Sequence, residues 1–293
     1  MKDVPLSRPY RATWWRTLWA AMVLGWEEQF NWIRDPLLLA IYLLIRPLAT
    51  VALIVVMYGL VTQGAWQDPL FAYIYLGNAL YIYVGYVFQA TAWTIIDERE
   101  HYRTLKYLAI TPSPLVWFLL GRAIVPLMLG TTSVVVALLA GVVFFRLPLD
   151  WDTLSWGRLL VGLLVGWSGL MAIGFFLAGV TLNARRYMWV IGEAVAGTLY
   201  VCTGAIFPLT VLPRPLQALG YALPITYWLE YMRRVLLRPG WTTAPPWNAW
   251  PTSTLFTVLT LVTLAYLVVA LVVFRYAEYR ARHMDLLEAT SDY

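Results

Sequence analysis

The sequence predicts an all-α membrane protein with six transmembrane helices. Of its 293 residues, 61% are apolar and only 13% charged. The mean hydropathy is positive, and the apolar residues fall in runs that reach the length of about 20 residues needed to cross a hydrocarbon core. Arginine carries most of the net charge of +5, because Lys2 and Lys106 are the only lysines. Neither lysine follows a glycine-rich loop, so the phosphate-cradling G-x-x-x-x-G-K-[ST] pattern is absent. If ATP drives this chain, the ATPase is another polypeptide. A single cysteine, Cys202, excludes an intrachain disulfide, and His101 and His283 lie near helix ends rather than in a cluster. No catalytic group, metal, cofactor or nucleic-acid partner is expected.

Taken in order, residues 1–36 open with Lys2, Arg8, Arg11 and Arg16 but lack the apolar core of a signal peptide. Trp15, Leu18, Trp19, Met22 and Trp26 recur at helical spacing, which predicts an amphipathic helix lying in the cytosolic membrane interface. Residues 37–61 make a first span that contains Arg46-Pro47. An arginine at that depth is costly unless it faces protein, water or headgroups, and snorkelling or structural pairing is the commoner reason for one. Residues 71–96 make a second span with many aromatic groups, of which Tyr73, Asn78, Tyr81 and Tyr86 are candidates for a substrate pathway; packing is the competing explanation.

Between the second and third spans lies the one strongly charged helical stretch, residues 97–112. Asp97 is read as its N-cap, Glu98 and Glu100 as its acidic first turn, and Arg103 and Lys106 as its basic continuation. Thr111-Pro112 should stop it near Ile110. Leu105, Leu108, Ala109 and Tyr102 are placed on one face, suited to a membrane surface or a partner protein, and a solvated loop with good caps is the competing reading of the same stretch. A third span over 115–145 holds Arg122, within reach of the cytosolic surface. A connector with Asp150 and Asp152 leads to a fourth span over 159–181, whose Gly162, Gly166, Gly169 and Gly174 allow close helix approach.

Arg185 and Arg186 turn the chain into a fifth span, 187–207. It carries Glu193, the only acid deep in an apolar run and hence a candidate pathway residue or a structural partner for an arginine. Residues 208–252 are punctuated by proline, and 216–237 are too polar to span, so a re-entrant helical hairpin in the outer leaflet is expected there. The last span covers 253–274, followed by a basic tail over 275–293. Basic flanks concentrate at 1–34, 99–106, 185–186 and 275–282, which places both termini and the charged stretch in the cytosol.

These features resemble permeases of type-2 ABC exporters. In that family the cytosolic helix reads close to E-R-E-x-G-T-L-E-x-L-x-x-T-P. Here Glu98-Arg99-Glu100, Thr104-Leu105, Leu108 and Thr111-Pro112 match in order. The segment from Gly204-Ala205-Ile206-Phe207-Pro208 to Leu223-Pro224-Ile225-Thr226-Tyr227, with Glu230 and Arg233, resembles the family's block before the last span. Arg103 departs from the pattern, standing where glycine is usual, and so does Lys106, where an acid is common.

The resemblance implies a multi-pass permease of the cell inner (plasma) membrane. It would pair with a second permease copy and two copies of an ATP-binding cassette ATPase, which hold the ATP and magnesium. Asp97, Glu98, Arg99, Glu100, Arg103, Thr104, Leu105 and Leu108 would form the ATPase-coupling surface. The cargo would be amphipathic or lipid-linked: a glycan, a drug or a lipid. An ion-coupled secondary transporter using Glu193, Arg46 and Arg122 is the alternative, although no inverted repeat is apparent. An intramembrane transferase ranks lower, because no acid and histidine cluster recurs at one membrane face.

Overall fold

A computed structural model of the chain describes residues 14–64, 66–110, 114–150, 154–183, 188–241 and 247–283. The basic start before Trp14, Thr111-Pro112, Asp152, Arg185-Arg186, Pro245-Pro246 and the tail beyond His283 lie outside the described residues. An N-terminal helix α1 (Trp14–Ile33) precedes two long helices, α2 (Pro36–Thr62) and α3 (Pro69–His101). A short α4 (Leu105–Ile110) leads to α5 (Leu115–Phe145) and α6 (Trp156–Asn183). Then come α7 (Met188–Cys202), α8 (Arg214–Ala222), α9 (Pro224–Leu236) and α10 (Thr252–His283). Among the described residues there is no strand, only a bridge between Leu149 and Leu237. Among the described residues five helices, α2, α3, α5, α6 and α10, are long and apolar enough to cross a membrane.

Two of these helices start by the same local device. Asp35 and Asp68 each hold extended backbone and accept a hydrogen bond from the amide two residues on, at 2.9 and 3.0 Å, and each is followed by a proline in the first turn. Asp97 does not repeat it. Its backbone is helical and its amide already bonds within the helix, so α3 runs through it to His101. The charged stretch is therefore divided. Residues 97–101 are the last, π-helical turn of α3, Arg103 adopts a left-handed conformation (φ 53°), and only Leu105–Ile110 form a separate helix. The expected continuous helix from Asp97 is thus corrected. Nothing in Thr94-Ile95-Ile96-Asp97 breaks a helix, and burial of Glu98 and Arg99 holds the turn in place.

Two other boundaries differ from expectation. The fifth apolar run forms α7 of 15 residues, about 22 Å at 1.5 Å per residue. It ends early because Gly204 turns the chain at φ 76° and the Arg233 side chain claims the carbonyls of Gly204 and Ala205. The last helix continues nine residues past 274 to His283, with Arg282 paired to Glu278 one turn back at 2.6 Å.

Packing is set by small residues. Along α1, Ala21 and Gly25 face α5, where Gly121 lies against Leu18 and Ala21, while Trp15, Trp19 and Trp26 stay more than half exposed. Helix α6 packs along α10 and receives α9 on its glycines. The indole of Trp228 donates to the Gly162 carbonyl at 3.0 Å, and a Cβ at Gly166 would lie 1.9 Å from that nitrogen. Helices α8 and α9 form a hairpin. Its bend at Pro224 meets Gly169, about 20 Å along α6 at 1.5 Å per residue, while Arg238, just beyond α9, donates to Pro148 in the α5–α6 connector at 3.1 Å.

Arg233 anchors the hairpin from within. It is 1% exposed, and its guanidinium lies 3.5 Å from the centre of the Tyr73 ring. It donates to the carbonyls of Tyr73 (3.1 Å) and Gly204 (2.7 Å), with Glu230 nearby at 3.9 Å.

Candidate functional site

Helices α2, α3 and α7 enclose a cavity of about 460 Å³. Along α3 its lining residues are Asn78, Tyr81, Ile82, Gly85, Tyr86 and Gln89, a single helical face read at steps of three and four. Arg46, Thr50 and Leu53 line it from α2, and Ala196, Gly197 and Tyr200 from α7. The Asn78 amide donates to the Thr50 carbonyl at 3.2 Å and accepts from the Tyr200 hydroxyl. Tyr81 donates to the Ala196 carbonyl at 2.6 Å, and Tyr86 bonds Ser133 at 2.8 Å. Polar groups thus pin α2, α5 and α7 to α3 around an open space.

Of the pathway candidates, Asn78, Tyr81 and Tyr86 meet at this cavity. Tyr73 does not, because its ring is buried under Arg233. Glu193 is exposed on α7, one turn from the lining pair Ala196-Gly197. Gln89 and Tyr200 stand outside the expected pathway set yet line the cavity, and so does Arg46, for which snorkelling or structural pairing is the commoner expectation beside a pathway role. The three-and-four spacing from Asn78 to Gln89 was the signal that could have joined Gln89 to the set.

A smaller chamber of about 170 Å³ shares the Tyr86–Gln89 wall and is lined also by Glu28, Tyr42, Asp97 and Leu129. The π-helical turns Ile41–Ile45 and Gln89–Trp93 both border it. Such turns insert one residue and concentrate at functional sites.

Beside this chamber Arg122 pairs with Glu28 and lies 3.7 Å from Glu98, whose carboxylate also receives the Thr104 hydroxyl. The Thr104 amide closes on the Glu98 carbonyl at 2.8 Å. One arginine therefore ties α1, α3 and the turn before α4 to α5. Carboxylates outnumber that cation. The half-exposed Tyr102 phenol is pushed above its ordinary value first by partial desolvation, then by Glu28 and Asp97, with Arg122 opposing.

Within the proposed coupling set, Glu98, Arg99 and Leu105 are buried, Thr104 and Leu108 half-buried, and Asp97 and Glu100 partly covered. The Nε and Nη2 of Arg99 find no hydrogen-bond partner. The exposed groups are His101, Tyr102, Arg103 and Tyr107, so Tyr102 does not share the inward face of Leu105.

An all-helical chain with several membrane-length helices, a cavity between them and a charged, partly exposed turn at the end of α3 has the form of a transporter's membrane domain. The family model for the ABC-2 type transporter matches residues 20–237, and the chain belongs to that family. It is a multi-pass permease subunit of the ABC type, a family that works with an ATP-binding cassette subunit. A comparison with curated proteins gives no match.

Proposed function

We propose that the chain is the membrane half of an ATP-driven exporter of amphipathic cargo, working as two copies with two separate ATPase subunits. The observation that carries this is the continuity of α3. One unbroken helix holds the cavity wall from Asn78 to Gln89 and, at its far end, the charged turn of residues 97–101. A push on that turn moves the wall of the cavity.

In this reading α7 completes a sixth crossing. Its Ala196 and Tyr200 lie beside Tyr81 and Asn78 of α3, and the α8–α9 hairpin fills the space above its short end. Both termini are then cytosolic, α1 lies in the inner interface with its tryptophans at the headgroups, and the hairpin is re-entrant from outside. The ATPase meets His101, Tyr102, Arg103 and Tyr107, while Glu98, Arg99, Thr104 and Leu105 hold those groups in position. A second copy covers the exposed face of α2 and α7, where Arg46, Thr50 and Glu193 would otherwise meet lipid.

The test is co-purification of the tagged full chain from its own membranes, with ATP hydrolysis and export measured in vesicles. His101→Ala with Tyr107→Ala should release the ATPase and stop export without lowering the unfolding temperature. Export that survives ATP depletion but collapses with the proton gradient would replace this reading with an ion-coupled one.

A further inference from the structure

We propose that the 460 Å³ cavity between α2, α3 and α7 binds the anionic headgroup of an amphiphile at Arg46. This rests on the exporter reading and narrows its cargo.

Arg46 lies ten residues past Pro36, about 15 Å along α2 at 1.5 Å per residue, well inside the 27-residue apolar span rather than at its end. At that depth a lone arginine costs about 3 kcal/mol even on the insertion scale, so it calls for a counter-charge. Arg122 and Arg233 have carboxylates beside them. Arg46 has none among the described residues; its guanidinium approaches only the Tyr42 ring, at 5.9 Å. Among the described residues it is the only charged side chain on the cavity wall.

The remaining lining fits the rest of such a molecule. Pro47, Leu53 and Ile82 are apolar, and the rings of Tyr81 and Tyr86 offer flat surfaces to a chain or ring system. Gln89 adds an amide donor for the headgroup at the wall shared with the smaller chamber. A guanidinium fork binds two oxygens of a phosphate, sulfate or carboxylate at once, which an ammonium does less well. Glu28 and Asp97 stand beyond that wall, in the smaller chamber, and Glu193, exposed on α7 one turn from Ala196, does not line the larger cavity. Cationic and anionic environments are thus segregated, and the larger space favours the negative headgroup.

Binding to the full-length chain in phosphatidylcholine nanodiscs tests this with dodecyl phosphate, dodecylamine, dodecyl maltoside and inorganic phosphate as probes. Dodecyl phosphate should bind at least tenfold more tightly than dodecylamine. Arg46→Gln should weaken it at least tenfold, Arg46→Lys by less, and dodecyl maltoside binding and the unfolding temperature should not change. Equal affinity of wild type and Arg46→Gln for dodecyl phosphate would overturn the proposal. So would inorganic phosphate competing as well as dodecyl phosphate, since the site would then take a free anion. Recovery of export in an R46E/E193R double variant would also overturn it, by showing that Glu193 of a second copy is the counter-charge. Recruitment of the ATPase is scored separately in the wild type and in Arg46→Gln. Its loss in the wild type would sink the exporter reading, whereas unaltered alkyl phosphate binding alone would sink only the anion site.

Discussion

Arg103 provides a stringent test, because its substitution by glycine should not behave as an ordinary arginine-to-glycine change. In a helix interior that change costs about 1 kcal/mol. Here the backbone is left-handed, at φ 53°, where a side chain with a Cβ costs about 1–2 kcal/mol. Glycine removes that strain but adds about 0.4–1 kcal/mol of unfolded-state entropy. The proper reference is Arg103→Ala, which deletes the charge and keeps the strain. Arg103→Gly should exceed Arg103→Ala by about 0.5–1 kcal/mol, or about 1–3 °C in unfolding midpoint for a chain of this size. Paired thermal unfolding of the two variants in one detergent measures the difference. A glycine variant less stable than the alanine variant would refute the left-handed turn. If Arg103 also meets the ATPase, both variants should weaken co-purification equally, since both lose the guanidinium.

Two further outcomes follow from the packing. Arg233→Met should destabilise the chain by about 2–5 kcal/mol, because the buried carbonyls of Tyr73 and Gly204 lose their donor at about 1–3 kcal/mol each, while Glu230 keeps Arg234 at 3.4 Å; an unchanged unfolding temperature would contradict the anchor. Gly166→Val should prevent accumulation of folded protein, since its Cβ would sit 1.9 Å from the Trp228 indole nitrogen, and Gly166→Val with Trp228→Ala should recover part of the yield; size-exclusion profiles of the two decide it.

Helix positions were legible where long apolar runs had clear breaks at both ends. Asp35-Pro36 and the run after it gave α2 to within a residue at each end, and Leu115 to Phe145 matched α5. What the one-dimensional pattern concealed was competition. Asp97 carries the chemistry of an N-cap, and α3 overrode it because three apolar turns and a buried Glu98–Arg99 pair favour continuing the helix. The end of α7 was likewise hidden, since it depends on an arginine 29 residues later taking the Gly204 carbonyl. In the cavity, the aromatic content of α3 pointed to Tyr81 and Tyr86, but spacing alone could not separate Tyr73, which serves Arg233. Arg46 was visible as an anomaly, and only the assembled walls show that no acid among the described residues pairs with it.

The π-helical turns in α3 also set a phase. Each inserts one residue and so turns everything downstream by about 100° relative to an uninterrupted α-helix. The side chains after Trp93 are therefore clocked against those facing the cavity, which brings Glu98 round to Arg122 and leaves His101 outward. Removing a single residue from Gln89–Trp93 would spare the length of the rod while swinging its tip a quarter-turn away, disengaging the cogs at one end from the chamber at the other.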